Sequence, residues 1–304
     1  MFTRNATRFH VLSRSIQLAA DEAATFVTLR VSVGLDGAVS PTSMDMSDPL
    51  MTIPSVGATS FGVRGAAVCG RPTTRRSASV SVDGVERLSL TLTGERRWRP
   101  GGGASTPPLP WSHLPLDAHH AFGGATKIAA GEMEGLPHPE FMAAYPRNPS
   151  GKGFVPPWLA PEAAELPNVE FSDALVKDVR DRPDPAVLCP GPNDVAAILP
   201  TEPSDATAAY EQLTHWSHPR CFLETQRRPF RLVASGFSDE ALVFDVPSSP
   251  VRVSMKRRGV WHEVSSHVRR FVLNLDARAV EVIYGHSAHH ETAPRVSDVR
   301  LEEV

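Results

Sequence analysis

Ser150-Gly151-Lys152-Gly153 is the stretch that comes nearest to a phosphate-binding loop. That loop needs Gly-Lys followed by Ser or Thr, and a further Gly five positions before the second Gly, so that backbone N–H groups can cradle phosphate. Position 153 is Gly and position 146 is Pro, so the pattern fails at both ends. Histidines gather at His119-His120 beside Asp117, and again at His286, His289 and His290 before Glu291. A zinc site takes three or four ligands converging from fixed elements, and these runs read instead as surface histidines, so no metal is expected. Nucleophilic catalysis needs a Ser or Cys beside a His and an orienting acid, and no Gly-x-Ser-x-Gly elbow occurs. Cys69, between Val68 and Gly70 at what reads as a strand end, is expected to be a buried, inert thiol. The five tryptophans, Trp98, Trp111, Trp158, Trp216 and Trp261, are too dispersed to form a stacking platform and are expected to anchor core or loops, with Trp111 and Trp158 the candidates for an interface. No cofactor is expected.

The elements that must position these groups follow from composition and periodicity. In 304 residues, 31 Lys and Arg against 34 Asp and Glu leave a net charge of −3, which provides no field for gathering nucleic acid or anionic lipid. Three widely spaced cysteines, Cys69, Cys189 and Cys221, support neither a disulfide framework nor a structural zinc site, so a reducing compartment is expected. The N-terminus has no continuous apolar stretch of secretory type, and no run of about 18 apolar residues occurs, so the expected location is cytoplasmic, with no membrane partner.

Proline sets the layout: 18 of 28 fall between Pro100 and Pro200, where each removes a backbone donor and fixes φ. On either side, apolar residues alternate. In Ala24 to Val33, Val27, Leu29, Val31 and Val33 share one face, opposite Phe26, Thr28, Arg30 and Ser32. Ser77 to Val82, the turn Asp83-Gly84, and Leu88, Leu90 and Leu92 make a hairpin. Past Pro200, short strands are expected at Phe230–Ala234, Ala241–Val246, Val251–Met255, Val260–Val264, Phe271–Leu275 and Ala279–Tyr284, the last two joined as a closing hairpin. Helical signals are confined to Ser204–Trp216 and Glu162–Leu166. The expected fold is mainly β, an antiparallel sandwich or barrel-like set of sheets with a long Pro-rich central loop region and one or two short helices. It reads as a single domain: strands over 1–99, the Pro-rich region over 100–203, and strands over 204–304. Strands from both chain ends can close one sheet system.

Within the central region, WSHLPLDAHHAFGG (Trp111 to Gly124) is followed by YPRNPSGKGF (Tyr145 to Phe154) and LPNVE (Leu166 to Glu170). Together with the Gly94, Arg96, Arg97, Trp98 cluster after the hairpin, this order resembles the signature of the bacterial domain of unknown function 2169 family, whose members act as adaptors or chaperones for type VI secretion effectors. The resemblance implies a non-enzymatic protein that binds a secreted effector and helps load it onto the spike-tip protein. The residues themselves have a plainer use. Gly123 and Gly124 allow close backbone approach beside Phe122, Asn148 before Pro149 favours a turn, and Arg147 and Lys152 can satisfy carbonyls or Glu170. Trp111, Phe122, Gly123, Gly124, Arg147, Asn148, Lys152, Phe154, Asn168 and Glu170 are therefore candidates either for structuring an irregular loop or for touching a partner. Two alternatives stand beside the adaptor: a hydrolase built on Asp117, His119 and His120 beside Arg147, and a structural β-sandwich binding module unrelated to secretion.

Overall fold

The computed structural model describes residues 2–17, 22–43, 58–100, 105–133, 136–145, 148–156, 159, 163–177, 222–291 and 296–304. In these residues the regular elements are strands, in several mostly antiparallel sheets. The hairpin is formed by Arg75–Val82 and Val85–Thr93, with Asp83 and Gly84 at φ of 49° and 79°. Two successive positive φ values match the right-handed twist of the flanking strands, and Asp-Gly supplies them at low cost. Leu88, Leu90 and Leu92 all turn inward and are buried. Each is worth about 1.5–3 kcal/mol relative to exposure.

This hairpin is the centre of a five-stranded sheet, completed by Val169–Phe171 on one side and by Phe230–Ser235 and Leu242–Val246 on the other. A seven-stranded sheet is built around Glu22–Gly34 and Ala279–Glu291, which pair along their whole length. The expected closing hairpin joins Ser266–Asn274 to Ala279–Glu291. Phe271 of this sheet stacks on Phe61 at 5.5 Å and meets Phe230 of the five-stranded sheet at 5.2 Å, so the two sheets face each other across one core. A four-stranded sheet adds Val251, Val253, Met255, Val299 and Leu301 to the same core. There the two ends of the chain pair in parallel, Phe2–Asn5 with Asp298–Glu303. A second parallel pairing joins Ala58–Arg64 to Ser266–Asn274.

Three expectations change. Phe26 and Thr28 are buried along with Val27 and Leu29, because this part of the strand is covered on both faces; Arg269 reaches over to Thr28 Oγ1 at 3.2 Å. The central region carries short strands, among them the two-stranded ribbons Ala66–Thr73 with Trp111–Pro115 and Ala125–Ile128 with Phe141–Ala144. The piece 163–166 is not helical: Ala163 sits at φ 53°, Glu165 bridges to Arg97, and Leu166 N–H donates to Arg96 O at 3.0 Å. Extended pairing with the post-hairpin segment takes the backbone donors that a helix would need, and Pro167 follows at once. The expected helix at Ser204–Trp216 lies outside the described residues. No helix among the described residues is long and apolar enough to cross a membrane.

Candidate functional site

The three central blocks and the post-hairpin cluster, scattered over some 80 residues, meet in one knot at the edge of the five-stranded sheet. Leu-Pro-Asn-Val-Glu enters the sheet: Val169–Phe171 pairs with Val85–Thr93, setting Glu170 opposite Thr91. Asn168 and Thr93 lock the entry reciprocally, Thr93 N–H to Asn168 O at 2.8 Å and Asn168 Nδ2 to Thr93 O at 3.0 Å. The Ala-Phe-Gly-Gly block lies alongside, because Asn168 and Val169 both donate to His120 O, at 2.8 and 3.0 Å. Phe122–Gly123 then pairs in parallel with Lys152–Gly153.

Asn148 holds these pieces together. It is only 6% exposed, and its Nδ2 donates to Ala118 O at 2.8 Å and Phe122 O at 3.0 Å. Its own carbonyl accepts from Gly124 N–H at 2.8 Å. Gly123 is required here, since at φ 152° a Cβ would stand 2.1 Å from Asn148 O. Phe122 meets Tyr145 edge-on at 5.1 Å, and Phe154 lies against the other side of Tyr145 at 5.7 Å. Phe122 also joins Trp98, Leu166 and Val176 in a second, smaller apolar cluster. Trp111 belongs to the main core and is 8% exposed, so the interface role open to it from sequence does not fit its burial. Arg147 and Trp158 lie outside the described residues.

Charge is arranged in two layers. The inner one is Arg96 with Glu170, both buried and in contact through Nη2 and Oε2, with Val176 N–H donating to Glu170 Oε1 at 2.6 Å. Burial pushes the Glu170 carboxyl up and the Arg96 guanidinium down, in each case against the attraction of the partner. Arg96 keeps its proton, and the bonds that Glu170 accepts from Arg96 and Val176 favour its carboxylate form against the burial. The outer layer is Glu165, which takes Lys152 Nζ and Arg97 Nη2 at 3.0 Å each. The Lys152 hydrogen bond holds the Glu165 carboxyl below its usual range. Lys152 therefore serves Glu165 and not Glu170, whose charge partner is Arg96. Of the seven buried side-chain N and O atoms without a partner among the described residues, five belong to this knot and its base: Thr93 Oγ1, Arg96 Nε, Trp98 Nε1, Trp111 Nε1 and Asn168 Oδ1.

The histidine–aspartate group stands at the rim. His120 Nδ1 meets Asp117 Oδ1 at 2.7 Å, while His119 turns to the Ser150 carbonyl at 3.2 Å. No group of three or more His, Cys, Asp or Glu suited to a metal occurs among the described residues. Cys69 is buried, with Arg76 Nη1 3.0 Å from its sulfur.

His286 departs from expectation, because it is buried at 2% exposure and not on the surface. Its Nδ1 lies 3.3 Å from the Val264 carbonyl, to which it donates, leaving Nε2 to accept from the Ser249 hydroxyl at 3.1 Å. The sequence signal for this site was available: His286 falls on the inward parity of the strand that carries Val280, Val282 and Tyr284. Glu165 is the other missed residue. Nothing local marks it, since both of its partners are remote in sequence.

One family model, described as an uncharacterized protein conserved in bacteria (DUF2169), matches residues 36–197, just over half of the chain and all of the knot. No curated protein and no solved structure matches.

Proposed function

The chain belongs to the domain of unknown function 2169 family, and from that premise we propose that it is a non-enzymatic adaptor that binds a type VI secretion effector and helps load it onto the spike-tip protein. The observation that carries the reading is how the signature residues are employed. Asn148 places its side-chain amide on two backbone carbonyls, Asn168 locks Thr93, Glu170 is committed to Arg96 and Val176, and Lys152 to Glu165. Groups spent on holding backbone are not free for acid–base or nucleophilic work, whereas a rigid platform is what a cargo binder requires. The knot carries ribbons whose outer side chains include Met142, 60% exposed, and Lys127. The expected partners are a secreted effector and a spike-tip protein, in the cytoplasm, with neither nucleic acid nor membrane involved.

The test is co-expression with a candidate effector toxin. The toxin is expected to become soluble, and to be retained through purification, only in the presence of this chain. A toxin equally soluble alone, or a purified chain that turns over a small substrate and loses that turnover on His120→Ala, refutes the reading.

A further inference from the structure

The four-stranded sheet ends in the strand Val260–Val264, whose outer edge pairs with nothing among the described residues. Its hairpin partner is Val251–Arg257, and the turn residues Arg258 and Gly259 have φ of 50° and 80°. A two-residue turn with both φ positive makes the flanking pair, Arg257 and Val260, a hydrogen-bonded one. Alternation then directs the N–H and C=O of Val260, His262 and Val264 into the sheet, and those of Trp261 and Glu263 outward. Three of the other edges are guarded. Val169–Phe171 is wholly buried, Leu242–Val246 runs into Pro247 and Pro250, and Phe2–Asn5 leads into a turn closed by Asn5 Nδ2 on Phe9 O at 2.8 Å. Val260–Val264 has no proline, bulge or lysine, the usual devices against strand addition.

The side chains describe what would fit. Val260 is 57% exposed although it shares the parity of the core-facing residues, so beyond the partly buried Val264 the strand overhangs the core and leaves Val260 and His262 uncovered. On the opposite face Trp261 is fixed beneath the Arg300 guanidinium at 4.5 Å, with Lys256 Nζ at 5.8 Å. Lys256, Arg257 and Arg258 form a run of three cations at the hairpin tip, and among the described residues the ion pair they make is Lys256–Asp298, at 3.8 Å. We propose that this edge accepts an extended segment of a partner protein as an added antiparallel strand. The segment is acidic at the end beside Arg257 and Arg258, and apolar where it covers Val260 and Val264. A second copy of this chain fits poorly, since antiparallel addition would set each cationic tip against the Val264-Ser265-Ser266 end of the other copy, which carries no carboxylate. Strand addition of this kind takes its affinity from main-chain hydrogen bonds and its selectivity from alternate side chains. The assignment rests on the adaptor reading for the partner's identity, while the edge geometry is independent of it.

The test titrates the full chain with a capped seven-residue peptide of alternating threonine and valine that ends in two glutamates, and with its counterpart ending in two lysines. Backbone amide resonances of Trp261 and Glu263 report docking. The acidic peptide is expected to shift both amides and to bind at least ten-fold more tightly than the lysine peptide. Glu263→Pro removes one outward N–H without removing a backbone bond of the fold, gives up only the exposed ion pair with Arg252, and is expected to weaken binding at least ten-fold with the thermal midpoint nearly retained. Arg257→Glu with Arg258→Glu is expected to reverse the preference between the two peptides, and stands as the second variant if Glu263→Pro fails to fold. Absence of shifts at Trp261 and Glu263 at millimolar peptide, or equal affinity of both peptides for the charge-reversed variant, overturns the proposal. Neither result touches the co-expression test, whose own failure leaves the edge to be decided by the peptides.

Discussion

Mild acid should destabilise this protein through two buried histidines. Burial lowers His286 from an ordinary 6.5 to about 4, only partly opposed by its bond to the Val264 carbonyl. His267 is also lowered to about 4, by burial first and then by Arg269, His286 and Arg227. The sign follows from which state binds the proton. Above pH 6.5 both states are neutral at these residues and nothing changes. Below 6.5 the unfolded chain takes up protons that the folded one refuses until about pH 4, so stability is lost as the pH falls through that window. At about 1.4 kcal/mol per pH step, lowering the pH from 6.5 to 5 costs about 2 kcal/mol for His286 alone. His267 adds less than an equal share, because the two imidazoles repel each other once one is charged. Urea denaturation followed by tryptophan fluorescence at pH 8 and pH 5 measures the loss. His286→Gln is expected to be somewhat less stable at pH 8, through weakened bonds to Val264 and Ser249, yet to lose about 2 kcal/mol less than the parent on acidification. Full acid sensitivity in the double variant His267→Gln with His286→Gln would refute the argument.

Other perturbations separate the parts of the knot. Arg96→Ala strands the buried Glu170 charge and is expected to cost about 3–5 kcal/mol, whereas replacing both partners, Arg96→Met with Glu170→Leu, costs less than Arg96→Ala alone; denaturant midpoints decide. Asn148→Ala leaves Ala118 O and Phe122 O without their donor and is expected to cost about 1–3 kcal/mol in the same assay. Gly123→Ala, with its Cβ 2.1 Å from Asn148 O, should prevent assembly of the knot, read as loss of soluble protein, while Gly84→Ala, with open space around its Cβ, should lower the thermal midpoint by only a few degrees. Lys152→Ala breaks an exposed clasp and is expected to change stability by about 1 kcal/mol or less, so a large effect on cargo solubility would place Lys152 at the contact itself.

What could be read from the sequence divides along the distance over which each interaction acts. Asp83-Gly84 announces its turn because the φ > 0 requirement is met by two adjacent residues, and Leu88, Leu90 and Leu92 announce their face because side-chain parity is a local property. The parallel union of Phe2–Asn5 with Asp298–Glu303 is set by a register that alternation does not encode, so the possibility that the chain ends meet was legible and the pairing was not. Glu162–Leu166 carries helix-forming residues, yet its described part, 163–166, is not helical, because Arg96 O and the apolar cluster around Leu166 offer more than an isolated helical turn can.

The knot shows the same division. Each signature block is conspicuous by composition, but its partners are remote: Asn148 acts on residues 26 and 30 positions back, and Glu170 on Arg96, 74 positions back. Sequence therefore pointed to Asn148 and Glu170 as special without showing that one ties carbonyls and the other neutralises a guanidinium. It offered Lys152 either carbonyls or Glu170 and passed over Glu165, because Glu170 lies inside a block and Glu165 lies just outside one. The blocks are separated in sequence because each supplies one wall of a structure no single segment could close. It follows that variants within one block should be coupled to those in another: Asn148→Ala and Asn168→Ala together should cost less than the sum of the two, since loss of either already loosens the same junction. Strict additivity in a double-mutant cycle would show instead that the blocks are independent anchors.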